Sequence, residues 1–148
     1  MDRQGALLES VTESLQDPVE TFACSFRLTG LFLRGHPGEG RVLLNSGLVA
    51  ILSDRGLAPL ARRDIDAASR AGRFDVADPE LAMAMAAGTL SGLGVLLREQ
   101  PERDPVETID LMTERLLRAF GLTPDEAHEI SRRPLPDLGD PTEPNSAA

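Results

Sequence analysis

Hydrophobic residues recur at helical spacing along most of the chain, and no segment alternates apolar and polar residues as a half-buried strand does. Four segments begin with a helix-capping residue followed by proline, at positions 17, 78, 104 and 123. The capping side chain accepts a hydrogen bond from a free amide of the first turn, and proline there has no amide to leave unpaired. The pattern predicts an all-α fold with helices at about 4–15, 18–34, 40–53, 57–71, 79–99, 105–120 and 124–132.

The predicted helix 18–34 is apolar over most of its surface. Its charged residues, Glu20, Arg27 and Arg34, are seven positions apart and fall on one narrow stripe. Three of the five phenylalanines of the chain lie on the other faces of this helix. We therefore expect the helix to run through the middle of the domain with only the charged stripe in water.

The stretch 81–97 carries no charge at all, so the helix that contains it needs cover on every side. Gly88 and Gly92 lie on a strip of small residues that lets another helix approach closely, and Met83 and Met85 point to roughly opposite sides. The simplest account is that one side meets the core of the domain and the other side meets a second copy across a two-fold axis.

Helix 105–120 adds a second broad apolar face beside this one. Two such helices from each copy would form a four-helix interface in a homodimer. The residues expected in that interface are Met85, Gly88, Gly92, Leu96, Ile109, Met112 and Leu116.

The length, charge and cysteine content of the chain exclude several classes of function. The chain has 148 residues and a net charge of −9, so it fits one ordinary domain and should repel nucleic-acid phosphates rather than bind DNA alone. A single cysteine excludes an internal disulfide and favours the cytoplasm. The stretch 81–97 is at the short limit for crossing a membrane, but it is rich in small residues and closely flanked by charges, so no membrane association is expected.

Several loose patterns together resemble a known family. They are Ala67-Ala68, Ala71-Gly72-Arg73-Phe74, Asp78-Pro79-Glu80-Leu81-Ala82, Gly88 with Gly92, Leu116-Leu117-Arg118-Ala119-Phe120-Gly121-Leu122, and the segment from Asp125 to Pro136. Over about residues 15–136 the chain resembles the C-terminal domain of TetR-type transcriptional regulators. The resemblance implies an all-helical domain that dimerises through its last two long helices and encloses a small-molecule pocket.

Members of that family begin with a basic helix-turn-helix unit, and nothing before Asp17 has its pattern. We therefore expect DNA binding only through an N-terminal domain that is missing here. Three explanations stay open: a regulatory domain separated from its DNA-binding domain, a true start codon upstream of the assigned one, or a protein that works without DNA. The first two are favoured.

The apolar residues that face inward are interpreted in two ways, as a closed core or as the lining of an effector pocket. Hydrogen-bonding groups on the inward faces of three helices suit a pocket that orients a guest. The expected ligand-binding residues are Phe22, Ser25, Phe26, Thr29, Asn45, Leu48, Leu52, Met83 and Thr89. Because no cation is obviously buried, the expected effector is neutral and lipophilic or aromatic.

The sequence contains only weak indications of catalytic or metal-binding residues. Cys24 lies on the buried helix with no motif linking it to a histidine, so a packing thiol is expected. Asp125 and His128 lack the paired Glu-x-x-His motifs of a di-metal bundle. The glycine-rich segment 35–40 has neither the Lys-Ser/Thr pair nor the preceding strand of a phosphate-binding loop. We expect no enzyme, no metal and no cofactor.

The sequence therefore predicts an effector-binding and dimerisation domain over 1–133, followed by a disordered, proline-rich tail over 134–148. Its predicted function is the regulatory domain of a TetR-type regulator, in which a small ligand modulates DNA binding. The alternative is a helical homodimerisation module without a ligand.

Overall fold

The computed structural model describes residues 15–35 and 57–136. Within these ranges the chain forms five helices and no strand: α1 (Pro18–Gly35), α2 (Leu57–Arg70), α3 (Pro79–Glu99), α4 (Pro105–Ala119) and α5 (Pro124–Ile130). The all-α prediction is confirmed, and the five predicted segments agree with these helices to within two residues at each end. The helices predicted at 4–15 and 40–53 lie outside the described residues.

Side-chain caps begin four of these helices, as the capping pattern predicts, and at α1 the Oδ1 atom of Asp17 accepts from the amide of Val19 at 3.0 Å. Asp78 accepts hydrogen bonds from two amides of the first turn of α3. Asp104 accepts one from the amide of Glu107 at 3.1 Å, and Thr123 accepts one from the amide of Glu126 at 3.3 Å. Each cap precedes proline at the first helical turn, so local sequence alone sets where these helices start.

Helix α1 is the central helix of the described fold, because it packs against α2, α3 and α4. At Gly30 a Cβ atom would lie 3.3 Å from side-chain carbons of both Leu93 and Ile109. The missing side chain therefore lets α3 and α4 approach the backbone of α1 closely. The expectation that this helix runs through the middle of the domain is met.

An aromatic cluster fills the core beside α1. The ring centroids of Phe22 and Phe74 are 5.9 Å apart, those of Phe22 and Phe120 are 5.8 Å apart, and those of Phe74 and Phe120 are 5.2 Å apart. Phe26 stacks on Phe22, with the two ring centroids 6.3 Å apart. These rings join α1 to the segment after α2 and to the end of α4.

Helix α3 divides into a covered side and an open side. Met83 is buried in the core, whereas Met85 is 38% exposed, as their opposite directions predict. By length and composition α3 also qualifies as a membrane span, the one such helix among the described residues. The buried residues of α3 form a core-facing side, and they are Ala82, Met83, Ala86, Ala87, Leu90, Leu93 and Leu97.

The charged stripe of α1 was expected to lie in water. Arg27 of this stripe is instead buried, with only 5% of its surface exposed. Its Nε donates to Oδ1 of Asp110 at 2.9 Å, and its Nη1 donates to the carbonyl oxygen of Arg133 at 2.8 Å. The central position of α1 explains the difference, because α4 and the residues after α5 cover the stripe as well. A buried guanidinium is tolerated there because it is paired and hydrogen-bonded.

The residues after α5 are bound to α1. Arg133 donates to Glu20 at the start of α1 and to Glu129 on α5, at 2.9 Å in both cases. Leu135 is half-buried and packs with Cys24 and Leu28 on the outer side of α1. Packing contacts therefore continue past residue 133, where the predicted domain ends. The remainder of the predicted tail, residues 137–148, lies outside the described residues.

Candidate functional site

The residues predicted to bind an effector separate into three groups. Asn45, Leu48 and Leu52 lie outside the described residues. Ser25 and Thr89 are half-buried. The buried members are Phe22, Phe26, Thr29 and Met83.

Phe22 belongs to the closed core more clearly than to a pocket. It contacts Phe26, Phe74 and Phe120, so rings surround it on several sides. A side chain that is enclosed in this way leaves little surface for a guest. Phe26 and Met83 belong to the same buried cluster as Phe22, and the assignment of an effector site to these residues stays a prediction.

The threonine hydroxyls of the predicted site have a defined hydrogen-bonding state. Thr29 Oγ1 donates to the carbonyl oxygen of Ser25 at 2.7 Å, and Thr89 Oγ1 donates to the carbonyl oxygen of Met85 at 2.7 Å. Each hydroxyl has one hydrogen and two lone pairs, so each remains able to accept a hydrogen bond. These two positions therefore suit a guest that donates hydrogen bonds, such as one that carries hydroxyl groups.

Arg27 also corrects the expectation that no cation is buried. Its partner Asp110 is largely covered, with 14% of its side chain exposed, so the two charges neutralise each other inside the protein. No local pattern predicts this pair, because its members are 83 residues apart. The guanidinium is satisfied by protein groups and is not presented to an anionic guest.

A second candidate surface lies on the open side of α3 and α4. Every large hydrophobic residue that is exposed in the described part of the chain lies on these two helices. On α3 they join two exposed glycines at intervals of four, three, four and three residues, which is the spacing of one helix face. This α3 stripe consists of Leu81, Met85, Gly88, Gly92 and Val95.

The two glycines make the middle of the α3 stripe flat and open. Among the described residues, nothing lies within 4 Å of a Cβ atom built at Gly88 or at Gly92. The described part of the chain therefore gives neither glycine a packing reason, in contrast with Gly30 on α1. Glycine in the middle of a helix costs about 1 kcal/mol relative to alanine, so two exposed glycines favour a close contact on this side of α3.

The predicted interface residues differ in exposure. Met85, Gly88 and Gly92 are exposed within the α3 stripe, and Leu96 and Met112 are half-buried. The remaining two are enclosed by their own chain, with Ile109 1% exposed and Leu116 4% exposed. These two side chains pack in the core and support α4 from within.

Four exposed hydrophobic residues of α3 and α4 are not among the predicted interface residues. The residues are Leu81 and Val95 on α3, and Val106 and Leu111 on α4. The spacing of Leu81 and Val95 from Met85 and the glycines was already visible in the sequence. Leu111 is two residues from buried Ile109 and Thr113, so helical spacing places it on the side of α4 that faces away from the core.

Cys24 is buried, and burial raises its pKa from the ordinary 9.0 to about 11. The thiol is therefore protonated near neutral pH, whereas nucleophilic attack needs the thiolate. His128 does not face this thiol, because its Nδ1 lies 2.9 Å from Oε1 of Glu114. Among residues 15–35 and 57–136, no group of three His, Cys, Asp or Glu side chains is placed to hold a metal ion.

Comparison with known proteins assigns the chain to one protein family. The sequence profile described as "Tetracyclin repressor-like, C-terminal domain" matches residues 17–133. A crystal structure of RolR in complex with the ligand resorcinol is similar to the chain, with 29% identity and a TM-score of 0.75, covering 92% of this chain and 67% of RolR. RolR without ligand gives 28% identity and a TM-score of 0.73, covering 92% and 69%. No curated protein matches.

Proposed function

The chain belongs to the tetracyclin repressor-like C-terminal domain family of TetR-type regulators, and on that premise we propose that it senses a small aromatic effector as a homodimer. The domain would change the DNA binding of a helix-turn-helix unit joined to it. The observation that carries the proposal is its similarity, over 92% of its length, to a regulator that was crystallised both with and without resorcinol. The proposal places the chain in the cytoplasm, where regulators of this family act.

The proposed effector is a neutral aromatic molecule with hydroxyl groups. Resorcinol, the ligand of RolR, has this chemistry. The acceptor capacity of the Thr29 and Thr89 hydroxyls supports the same class, because a phenolic hydroxyl donates to such an oxygen. Phe26 and Met83 supply apolar surface on the same two helices, α1 and α3.

The proposed dimer uses the open side of α3 and α4. The exposed hydrophobic residues of the described chain are concentrated there, and a patch of this kind on a soluble protein marks an interaction site. A two-fold contact buries the same patch on both copies at once. Two helices from each copy would then form the four-helix interface.

The proposed mechanism is a shift between two arrangements of this dimer. Helix α1 contacts both α3 and α4, so a guest beside α1 is close to the helices that set the relative orientation of the two copies. The two DNA-binding units of a dimer must lie about 34–36 Å apart to enter successive major grooves. A small rotation of one copy relative to the other is therefore enough to weaken DNA binding. Coupling of this kind is typically about 1–3 kcal/mol, and it requires that the effector favour one arrangement.

Thr29 offers a sharp test of the effector site, with Thr113 as its matched control. Both threonines are buried, and both hydroxyls donate to the carbonyl four residues earlier. Only Thr29 lies on the proposed effector face. We expect Thr29→Val to weaken resorcinol binding by about fivefold to tenfold through loss of one hydrogen bond, while Thr113→Val leaves it unchanged. Isothermal titration calorimetry with resorcinol measures both.

The alternative, a homodimerisation module without a ligand, predicts a different result. Native mass spectrometry would then detect a dimer that retains no small molecule, and resorcinol would give no heat of binding to the unmodified chain. Equal loss of binding in Thr29→Val and Thr113→Val would instead show that the effector site is not on this face of α1.

A further inference from the structure

The exposed side of α4 carries a regular arrangement of charges around one hydrophobic residue. Leu111 is 43% exposed at the middle of this side. Acidic residues stand four and seven positions before it, and arginines stand four and seven positions after it. All five residues are exposed, and together they define the α4 charge stripe: Asp104, Glu107, Leu111, Arg115 and Arg118.

Helical geometry places the four residues within α4 on one face, and Asp104 caps the start of the helix next to them. A step of four residues turns the helix by about 40° and advances it about 6 Å, and a step of seven turns it back by about 20° and advances it about 10 Å. The acids therefore lie on one side of Leu111 and the arginines lie at equal distances on the other side. Within the described part of the chain, Glu107, Arg115 and Arg118 take part in no ion pair.

Such a stripe is complementary to itself under two-fold symmetry. In a symmetric dimer, if residue i of one copy contacts residue j of the other, then j also contacts i. An axis that passes beside Leu111 and is perpendicular to α4 runs the two copies of α4 in opposite directions, so Glu107 of each lies opposite Arg115 of the other. Asp104 and Arg118 lie opposite each other in the same way, three residues, or about 4.5 Å, further out.

We propose that the dimer axis passes beside Leu111 and that the α4 charge stripe sets the register and the choice of partner. This inference rests on the proposed function, because it assumes that α3 and α4 form the dimer interface. The occupant of the surface is a second copy of the chain. The α3 stripe supplies the uncharged part of the interface, and the α4 charge stripe supplies the part that discriminates between partners.

Helix stability alone gives a competing account of the charges. Acids near the start of a helix and bases near its end both interact favourably with the helix dipole. That effect explains the signs of the charges, but it gives no reason for an exposed leucine midway between them. The two accounts also predict opposite results when both signs are reversed in the same chain.

Charge-reversal variants of the 148-residue chain distinguish the two accounts. Glu107→Arg and Arg115→Glu each place like charges opposite one another in their own dimers, so each should self-associate roughly tenfold more weakly. When the two variants are mixed, every facing pair is again opposite in sign. Native mass spectrometry, with one variant isotopically labelled, should then detect mostly heterodimer instead of the half expected from random exchange. The double variant Glu107→Arg/Arg115→Glu should dimerise like the unmodified chain.

The matched controls are Asp125→Arg, in the first turn of α5, and Arg70→Glu, in the last turn of α2. They reverse charges near helix ends outside α3 and α4, and their mixture should give a random distribution. If the chain dimerises but the Glu107 and Arg115 variants also mix at random, the register is refuted while the dimer stands. A double variant that dimerises more weakly than either single variant would also refute the register. A chain that stays monomeric at micromolar concentration refutes both proposals.

Discussion

A buried arginine shows how much of this protein depends on single side chains. Arg27 is covered by α4 and by the residues after α5, and its two hydrogen bonds join α1 to both. Removing water from a charged group costs several kcal/mol, which only a close partner offsets. The stability of this contact is therefore a property of the pair, and deleting one member leaves the other charge without compensation.

We expect Arg27→Met to lower the free energy of unfolding by about 3 kcal/mol, because Asp110 then remains covered without its partner. The double variant Arg27→Met/Asp110→Leu should recover most of this loss, since it removes both charges. Urea unfolding measures both effects.

The matched control for Arg27 is Arg62→Met, the same substitution in an exposed ion pair with Glu80 and Asp66. It should cost clearly less, because water already screens those charges. If Arg27→Met and Arg62→Met lower the free energy of unfolding equally, the buried ion pair contributes no more to stability than the exposed one.

At the scale of single elements, α3 is a helix with two different apolar sides. One side packs in the core through residues such as Met83 and Leu93. The other side is the α3 stripe, whose glycines leave room beside the backbone. Because both sides are apolar, the hydrophobic pattern alone does not tell the covered side from the open one.

Gly88→Arg tests whether a second copy covers the open side. Within residues 15–35 and 57–136, no atom lies within 4 Å of a Cβ atom at this position, so the described fold should tolerate a side chain there. A partner helix that approaches the glycine closely would be displaced by the long charged side chain. We expect analytical ultracentrifugation to detect a shift from dimer to monomer.

Ala67→Arg is the control for this prediction, because Ala67 is an exposed small residue within α2, away from the α3 stripe. It should leave the dimer intact. A Gly88→Arg protein that sediments like the unmodified chain would exclude the α3 stripe from the interface.

Elements and contacts differ in how far the sequence predicts them. Helix starts follow from neighbouring residues, so the caps at Asp78, Asp104 and Thr123 were predictable. The Arg27–Asp110 pair depends on how distant segments pack, which periodicity does not encode. For the effector face, the sequence indicated inward-facing side chains but not that Phe22 is enclosed by other rings.

The composition of the whole molecule gives it a simple alkaline titration. The chain contains neither lysine nor tyrosine, so Cys24 is the one side chain with an ordinary pKa between 9 and 11. Burial raises the pKa of this thiol to about 11 in the folded protein. The unfolded chain therefore releases the thiol proton at a lower pH than the folded chain does.

We expect the free energy of unfolding to be independent of Cys24 ionisation below about pH 9 and to fall as pH rises from about 9 to 11. The sign follows because the folded state holds more protons than the unfolded state within this window. Urea unfolding at closely spaced pH values measures the slope. Cys24→Ala should abolish it, and a slope that persists in this variant would assign the titration to another group.

The last described residues complete the first described helix. Arg27 meets Asp110 83 positions later in the chain, and the contacts of Arg133 with Arg27 and Glu20 span 106 and 113 positions. During synthesis, α1 leaves the ribosome long before any of these partners exists. The nascent helix can pack against α2 and α3 earlier, but Arg27 stays without its partners until nearly the whole chain has been translated. A stalled or shortened translation product would consequently be a substrate for chaperones and proteases rather than a partly active regulator.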